Sequence, residues 1–324
     1  MGTWVLQTGL PTATNKGLAA SDDLVNLAAC SSFNTVYTSA DSGVTWTERA
    51  GTGYYNGFTG IASSSNGAKL ATCVFNAYIL TSIDYGSTWI TQTASGARRW
   101  AGIAGTSDGT RLFAAVNPGY IYTSSDSGAT WTAQTSTGTK AWTSIASSND
   151  GTKLVASVYN GTGSYIYTSS DYGVTWVLRV TLAGSDIERV AISGDGTKSL
   201  ATSIGYYNGS VYLSLDSGLT WTAITSLGIW DWAAAALSND GSNMIVCQNS
   251  GHAFISTDVG TTWTEQTTDP PYLLWGIGAK FSSAGTEVAF LARDNPGMWR
   301  CVVFPPTSST GFWKDLISST QTYA

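Results

Sequence analysis

The chain has 324 residues, a formal net charge of −6 and only 11% charged residues. That length supports a large core and by itself allows two domains. The composition argues against nucleic acid and against an anionic membrane surface, because both need a Lys/Arg footprint and Arg98-Arg99 is the only adjacent basic pair. No run approaches the ~18 apolar residues of a membrane span. The longest small-apolar run, Trp232 to Leu237, reads as a buried strand. Met1-Gly2-Thr3-Trp4-Val5 has neither the basic region nor the apolar stretch of a signal peptide.

In chain order, the first predicted element is the strand Gly2 to Thr8, which matches segments such as Val174-Thr175-Trp176-Val177-Leu178 further on. Those later segments end a repeated octapeptide, S-x-D-x-G-x-T-W. Its aspartates are Asp41, Asp84, Asp126, Asp171, Asp216 and Asp258, spaced 43, 42, 45, 45 and 42 residues apart. A fixed period of this size marks a propeller or solenoid. Alternating β-branched and aromatic runs flank each copy, so the octapeptide is a hairpin turn between two strands. Its Asp is expected to accept bonds from the turn, and its Gly to supply the positive φ. Its Trp opens the returning strand as a core wedge.

A complete unit is legible from Trp142. Strand a is Trp142 to Ala146, Asn149-Asp150-Gly151 is a tight turn, and strand b is Leu154 to Val158. A loop through Asn160 leads to strand c, the octapeptide and strand d. The a–b turn recurs at Asn66-Gly67, Asp108-Gly109, Asp195-Gly196 and Asp240-Gly241, and the first unit, from about Lys16 to Ala50, shortens it to Asp22-Asp23. Each b–c loop holds one Asn: Asn34, Asn76, Asn117, Asn160, Asn208, Asn249 and Asn295. That makes seven units against six octapeptides, with the seventh spanning about 272–306. These Asn residues, including the sequons at Asn160 and Asn208, read as turn residues. Two segments compete for the fourth strand of the last unit, Trp4 and Phe312-Trp313. The closer match of the Trp4 strand favours it.

The octapeptide resembles the Asp-box, or BNR repeat, of sialidase-like β-propellers. The resemblance implies an all-β β-propeller; the seven units and the match of the Trp4 strand make it a seven-bladed β-propeller of four-stranded antiparallel blades, with the ring closed by the N-terminal strand. The whole of 1–324 is then one domain. Residues 1–10 close the last blade, six Asp-box blades cover about 16–270, a degenerate blade covers 272–306, and 307–324 is a tail or an extra edge strand. The family includes sialidases, xyloglucan hydrolases, sorting receptors and photosystem assembly factors. In it the box is a structural turn away from the active face, so Asp41, Asp84, Asp126, Asp171, Asp216 and Asp258 are expected to be structural.

Function is then sought on the opposite face, where b–c and d–a loops differ between repeats. The candidates there are Tyr54, Tyr55, Arg98, Arg99, Trp100, Trp142, Tyr159, Tyr206, Trp230, Asp231 and Trp275. Aromatics interleaved with a few charges suit sugar rings, which stack by their apolar faces and hydrogen-bond by their hydroxyls. Trp100, Trp142 and Trp275 share one repeat position, so a core plug is the competing reading for them. The family's arginine triad, Tyr–Glu pair and Phe/Tyr-Arg-Ile-Pro signature are not matched. Only four Glu occur, and Asp231 with Glu188 is the weak candidate carboxylate pair for glycoside hydrolysis. His252 is the sole histidine, which removes His-based metal sites and triads. The box lacks the spacing of a calcium loop. No metal and no cofactor is expected, and Cys30, Cys73, Cys247 and Cys301 read as small core residues.

The expected function is a non-catalytic carbohydrate-binding or adhesion propeller. A sialidase-like glycoside hydrolase and an assembly scaffold binding a protein are the alternatives. The partner is a glycan or a surface protein, with no nucleic acid and no membrane insertion. An extracellular or virion surface would suit it; compartment, ligand identity and oligomeric state stay open.

Overall fold

The computed structural model describes residues 4–7, 10, 15–32, 35–49, 57–205, 209–249, 251–266, 276–292 and 298–302. The tail at 307–324, and with it Trp313, lies outside them. The described chain is all-β apart from two single-turn 3-10 helices, Thr93–Ser95 and Thr225–Leu227.

The strands form antiparallel four-strand sets in chain order. After β1 (Trp4–Gln7), the first set is β2 (Asn15–Ala20), β3 (Leu27–Ser31), β4 (Val36–Ser39) and β5 (Thr47–Arg49). It is followed by β6 (Phe58–Ser63), β7 (Leu70–Ala77), β8 (Ile79–Ser82) and β9 (Ile90–Gln92), then by β10 (Arg98–Gly105), β11 (Leu112–Val116), β12 (Ile121–Ser124) and β13 (Thr132–Gln134). Next come β14 (Trp142–Ser147), β15 (Leu154–Tyr159), β16 (Gly163–Ser169) and β17 (Val177–Ala183). The set of β18 (Asp186–Ile192), β19 (Ser199–Ile204), β20 (Val211–Ser214) and β21 (Thr222–Ala223) precedes that of β22 (Trp232–Leu237), β23 (Met244–Gln248), β24 (Ala253–Ser256) and β25 (Thr264–Gln266). The last is β26 (Gly276–Phe281), β27 (Glu287–Ala292) and β28 (Met298–Val302), with β1 paired to β28, Trp4 opposite Cys301 and Gln7 opposite Met298.

The first strand of each set contacts the first strand of the next, and β26 contacts β2. The sets are also joined at their a–b turns. Asp22 N–H donates to Ser65 O, Ser65 N–H to Ser107 O, Ser107 N–H to Asn149 O, Asn149 N–H to Gly194 O and Gly194 N–H to Asn239 O, all at 2.7–2.8 Å. Ser283 N–H donates in turn to Asp22 O at 2.7 Å. One residue type is not needed for this belt, since every link uses backbone. What the sequence supplies is the turn: a Ser or Thr whose hydroxyl bonds the Asx two residues on, as in Ser148 Oγ to Asp150 Oδ1 at 2.7 Å. Long side chains then tie neighbours together. Lys153 Nζ donates to Asp195 O and Ser217 Oγ of the next set, and Lys198 Nζ to Asp240 O.

Packing follows strand rank. Every residue of the second strands β3, β11 and β23 is buried, while β9 and β21 are largely exposed. The deepest large side chains are Trp100, Trp142 and Trp232 at 0% exposure, with Phe58 at 1%. The octapeptide tryptophans pack against the core as expected but less deeply: Trp176 is buried, whereas Trp46, Trp89, Trp131, Trp221 and Trp263 are half-buried against the core clusters. Cys30, Cys73 and Cys247 are buried and free, as expected; the Cys301 side chain is outside the described residues.

Candidate functional site

In each of the first six sets the a–b turn and the octapeptide hairpin lie at the same end of the strands, and the b–c and d–a loops at the other. The octapeptide closes on itself. In the third set, Ser124 Oγ donates to Asp126 Oδ1 and accepts from Gly128 N–H. Asp126 Oδ1 accepts from Thr130 N–H at 2.9 Å, and Oδ2 from Thr130 Oγ1 at 2.6 Å. Trp131 Nε1–H donates to Gly128 O at 2.8 Å. These Thr130 bonds, with that from Ser124, hold Asp126 below the ordinary carboxylate range, and the equivalent bonds from Thr88 and Ser82 take Asp84 to about 2. The turn needs positive φ at two residues rather than at Gly alone: Ser127 stands at 57° and Gly128 at 93°. Even β-branched Val259 is held at 60°, an uncommon state for such a residue. Sequence reasoning gave the Asp its place but missed that the Ser satisfies the turn amide. A cleft of about 520 Å³ opens at this end between the first two sets, beside Asn26, Asp41, Arg49 and Tyr85. Its carboxylate is already engaged, with Asp41 accepting from Ser39, Thr45 N–H and Thr45 Oγ1.

At the loop end a repeated backbone bond fixes one residue where the d–a loop runs into strand a. Phe75 N–H donates to Gly57 O, Asn117 to Arg99 O, Tyr159 to Ala141 O and Asn249 to Asp231 O, at 2.6–3.1 Å. The backbone is constant there while the side chain changes from Gly to Arg to Ala to Asp. That is a pegged position with a free choice of chemistry.

The predicted candidates separate into three groups. Tyr54, Tyr55, Tyr206 and Trp275 lie outside the described residues. Trp100 and Trp142 are corrected out of the ligand-contacting set: both are fully buried, and their indole N–H groups are used on Ala77 O at 2.9 Å and Gly119 O at 3.1 Å. Trp100 also packs edge-on against Tyr122 at 5.5 Å. The remainder stay at the surface. Arg98 is half-buried with its guanidinium 4.4 Å over the Tyr122 ring, and Arg99 is exposed and lies 5.3 Å over Phe75. Their strand is unusually well held, because β10 pairs with β7 of the preceding set through Arg98 opposite Ala77 and Arg99 opposite Phe75. Tyr159 is half-buried.

Trp230 is 57% exposed, and Ile229 beside it 61%. The loop under them is braced. Trp230 N–H donates to Gly209 O at 3.2 Å, and Asp231 Oδ1 accepts from Gly205 N–H at 2.8 Å. Gly209 is required by this approach, since a Cβ there would stand 2.0 Å from Trp230 O. Asp231 thus ties the d–a loop to the b–c loop of the preceding set. Glu188 is half-buried on β18, and Asp186 is raised above its ordinary range by burial and then by Glu188. An ion pair joins His252 Nδ1 to Glu265 on the outer strand β25, which engages the sole histidine. Asn160 behaves as the turn residue expected, its Oδ1 accepting from Thr162 and Gly163 N–H. Lys140, which carried no expectation of its own, lies 5.2 Å from the Tyr167 ring.

No protein-family model and no curated protein matches the chain. Solved structures do. A YCF48 protein bound to a D1 peptide aligns with a TM-score of 0.70 at 18% identity, over 93% of this chain and 97% of its own. YCF48 from Cyanidioschyzon merolae gives 0.71 at 16%, over 92% and 98%. The GH74 enzyme of Niastella koreensis gives 0.72 at 18%, over 94% of this chain and 54% of its own, so the chain spans about half the length of that enzyme. At these identities the likeness is one of fold, and it agrees with the stacked four-stranded sheets: the chain is an all-β propeller.

Proposed function

We propose that the chain is a seven-bladed Asp-box propeller closed by its N-terminal strand, and that it is a non-catalytic binding module whose ligand face lies opposite the boxes. The pairing of β1 with β28 supports closure, as do the contact of β26 with β2 and the bond from Ser283 to Asp22. The observation that carries the binding reading is Trp230. A large indole left 57% exposed on a doubly braced loop is pre-organised to stack on a ligand. Asp231 follows Trp230 directly and keeps one carboxylate oxygen outside the Gly205 bond, an acceptor for one hydroxyl of a sugar ring stacked on the indole. Asp231 is better suited to this than to catalysis, because a hydrolase needs both carboxyls free to act on one bond and Oδ1 is committed to Gly205.

A glycan array read together with a turnover assay tests this. Binding without cleavage, lost in Trp230→Ala, is the expected result; cleavage abolished by Asp231→Asn would replace it with hydrolase action. A protein partner is the second reading. It is favoured by the extended β10–β7 pairing that displays Arg98 and Arg99, and by the YCF48 neighbour with its bound D1 peptide. An empty array with retained peptide or protein capture would favour it.

A further inference from the structure

A long basic side chain fills the junction between neighbouring sets at the hairpin end, and one junction lacks it. The residue just before strand b is Lys69, Arg111, Lys153 and Lys198 in the second to fifth sets. The lysine stems run across the a–b turn of the next set: a Cβ at Gly109, Gly196 or Gly241 would stand 2.7–3.0 Å from Cδ of Lys69, Lys153 or Lys198. Their ends reach the next octapeptide. Lys69 Nζ lies 3.5 Å from Ser127 Oγ, and Lys153 Nζ donates to Ser217 Oγ at 3.1 Å. The Arg111 guanidinium sits 4.1 Å over the Tyr172 ring. Ser127, Tyr172 and Ser217 are all the fourth residue of the octapeptide. Lysine thus meets serine, and arginine, whose flat guanidinium stacks on rings, meets tyrosine.

Between the first and second sets the position belongs to Asn26. A Cβ at the turn glycine Gly67 would stand 2.6 Å from Asn26 Cβ and 3.4 Å from its Cγ, where the side chain ends. The amide donates to Asn66 O at 3.4 Å. That carbonyl is the counterpart of the Asp195 and Asp240 carbonyls taken by Lys153 and Lys198. The fourth octapeptide residue beyond Asn26 is Tyr85, 46% exposed. The cavity volumes follow the side chains. The cleft at this junction measures about 520 Å³, whereas its counterpart between the second and third sets, lined by Lys69 and Ser127, measures about 20 Å³. The two are equivalent in place: Leu27, Thr38 and Ser39 line the first where Leu70, Thr81 and Ser82 line the second. Asn243 of the sixth set is also short, but the seventh unit has no octapeptide for a longer side chain to meet.

The larger cleft has the size of a small-ligand pocket. Its charged lining among the described residues is Asp41 and Arg49, one of each sign. Arg49 does not bar a cation. Its Nε donates to Thr38 Oγ1 at 2.7 Å, and Arg179 makes the same bond to Thr168 Oγ1 in the fourth set, where Lys153 still enters the junction.

We propose that this cleft is a guanidinium site, in which an alkyl guanidinium from outside the chain stacks on Tyr85 and donates to Asn66 O, replacing the side chain that Asn26 lacks. A cation over an aromatic face is attracted by its quadrupole. The Asn66 carbonyl has a second lone pair beyond the one Asn26 uses. A free small guanidine and an arginine side chain of a peptide share this chemistry. The site rests neither on the Trp230 face nor on ring closure.

The test is calorimetric titration of the full chain, at constant ionic strength, with agmatine as the free guanidine, a capped Gly-Arg-Gly peptide as the side-chain source, and cadaverine as the ammonium counterpart. Saturable binding of agmatine or the peptide is expected, with cadaverine weaker. Agmatine alone binding would assign the site to free guanidines; the peptide binding as tightly or more tightly would assign it to an arginine side chain. Asn26→Arg is expected to fill the cleft from within and weaken binding by roughly tenfold or more, with melting temperature unchanged or raised. Tyr85→Ser, which restores the residue of the third and fifth octapeptides, is expected to remove the preference for guanidinium over ammonium, and it serves should Asn26→Arg not fold. No saturable binding of agmatine or the peptide overturns the proposal. So does binding that is unchanged in folded Asn26→Arg, or a guanidinium preference that survives Tyr85→Ser.

Discussion

The two ends of the sheets handle loose backbone and polar groups in opposite ways. At the hairpin end each turn satisfies itself: Ser124, Asp126, Thr130 and Trp131 bond within eight residues, the Ser and Thr bonds recur around Asp41, Asp84, Asp171, Asp216 and Asp258, and the indole bond recurs in every octapeptide except that of Asp84, where Trp89 Nε1 has no partner. At the loop end the bonds run between loops that are far apart in sequence, as from Asp231 to Gly205. A self-contained turn can be copied along a chain, because no other repeat must change with it. A loop braced by its neighbour varies from blade to blade once its backbone is pegged, and variation is what a specific ligand site requires. The difference teaches why the most regular residues carry the fold, while the ligand contacts proposed for the loop end fall on Trp230 and Arg99, which are not repeated.

This contrast can be broken from either side. The largest effect is expected beneath the loops. Trp142→Ala removes a fully buried indole and is expected to cost about 3–5 kcal/mol in denaturant unfolding; Trp131→Ala, at a half-buried position, is expected to cost clearly less. Equal costs would mean that the box tryptophans are the true wedges. Acid comes next. Hydrogen bonds from Thr88 and Ser82 lower Asp84 to about 2, and those from Thr106 and Thr110 lower Asp108 to about 2. A carboxyl depressed in the folded state adds stability that is fully present above its unfolded pKa, about 3.9, and is lost as pH falls toward the folded value. Melting temperature is therefore expected to drop between about pH 4 and pH 2, and Asp84→Asn is expected to flatten part of that slope. A flat profile in the parent protein would remove the hydrogen-bonded carboxylates from the account. A single box should matter less: Asp126→Ala is expected to lower the melting temperature by roughly 2–4 °C, as for about 1 kcal/mol in a protein of this class. Trp230→Ala is expected to change stability by less than about 0.5 kcal/mol, because the side chain is mostly in water.

Much of the hairpin end was legible in the sequence because its bonds are local. The period, the strand order within a blade and the turn role of Asp126 all follow from residues close together in the chain. The burial of Trp100 and Trp142 was half-legible: their shared repeat position pointed to a plug, but only packing against Tyr122 and Tyr167 decides it. Two features were hidden by distance. Asp231 looked like a carboxylate available for chemistry, and its bond to Gly205 depends on how two loops of neighbouring blades meet. Arg189 stood in plain view beside Glu188, and only the strand register shows that it departs from a position held by small residues in the other sets. Aligning the first strands by their bulges, rather than by the box, is the signal that would have found it.

The division of labour between the two ends is tested most directly by measuring ligand binding and melting side by side in Trp230→Ala and Asp126→Ala, on whichever glycan or protein the screen identifies. The account predicts at least a tenfold loss of binding with unchanged melting for Trp230→Ala, and lowered melting with unchanged binding for Asp126→Ala. Binding lost in Asp126→Ala and kept in Trp230→Ala would contradict it and move the functional face to the boxes.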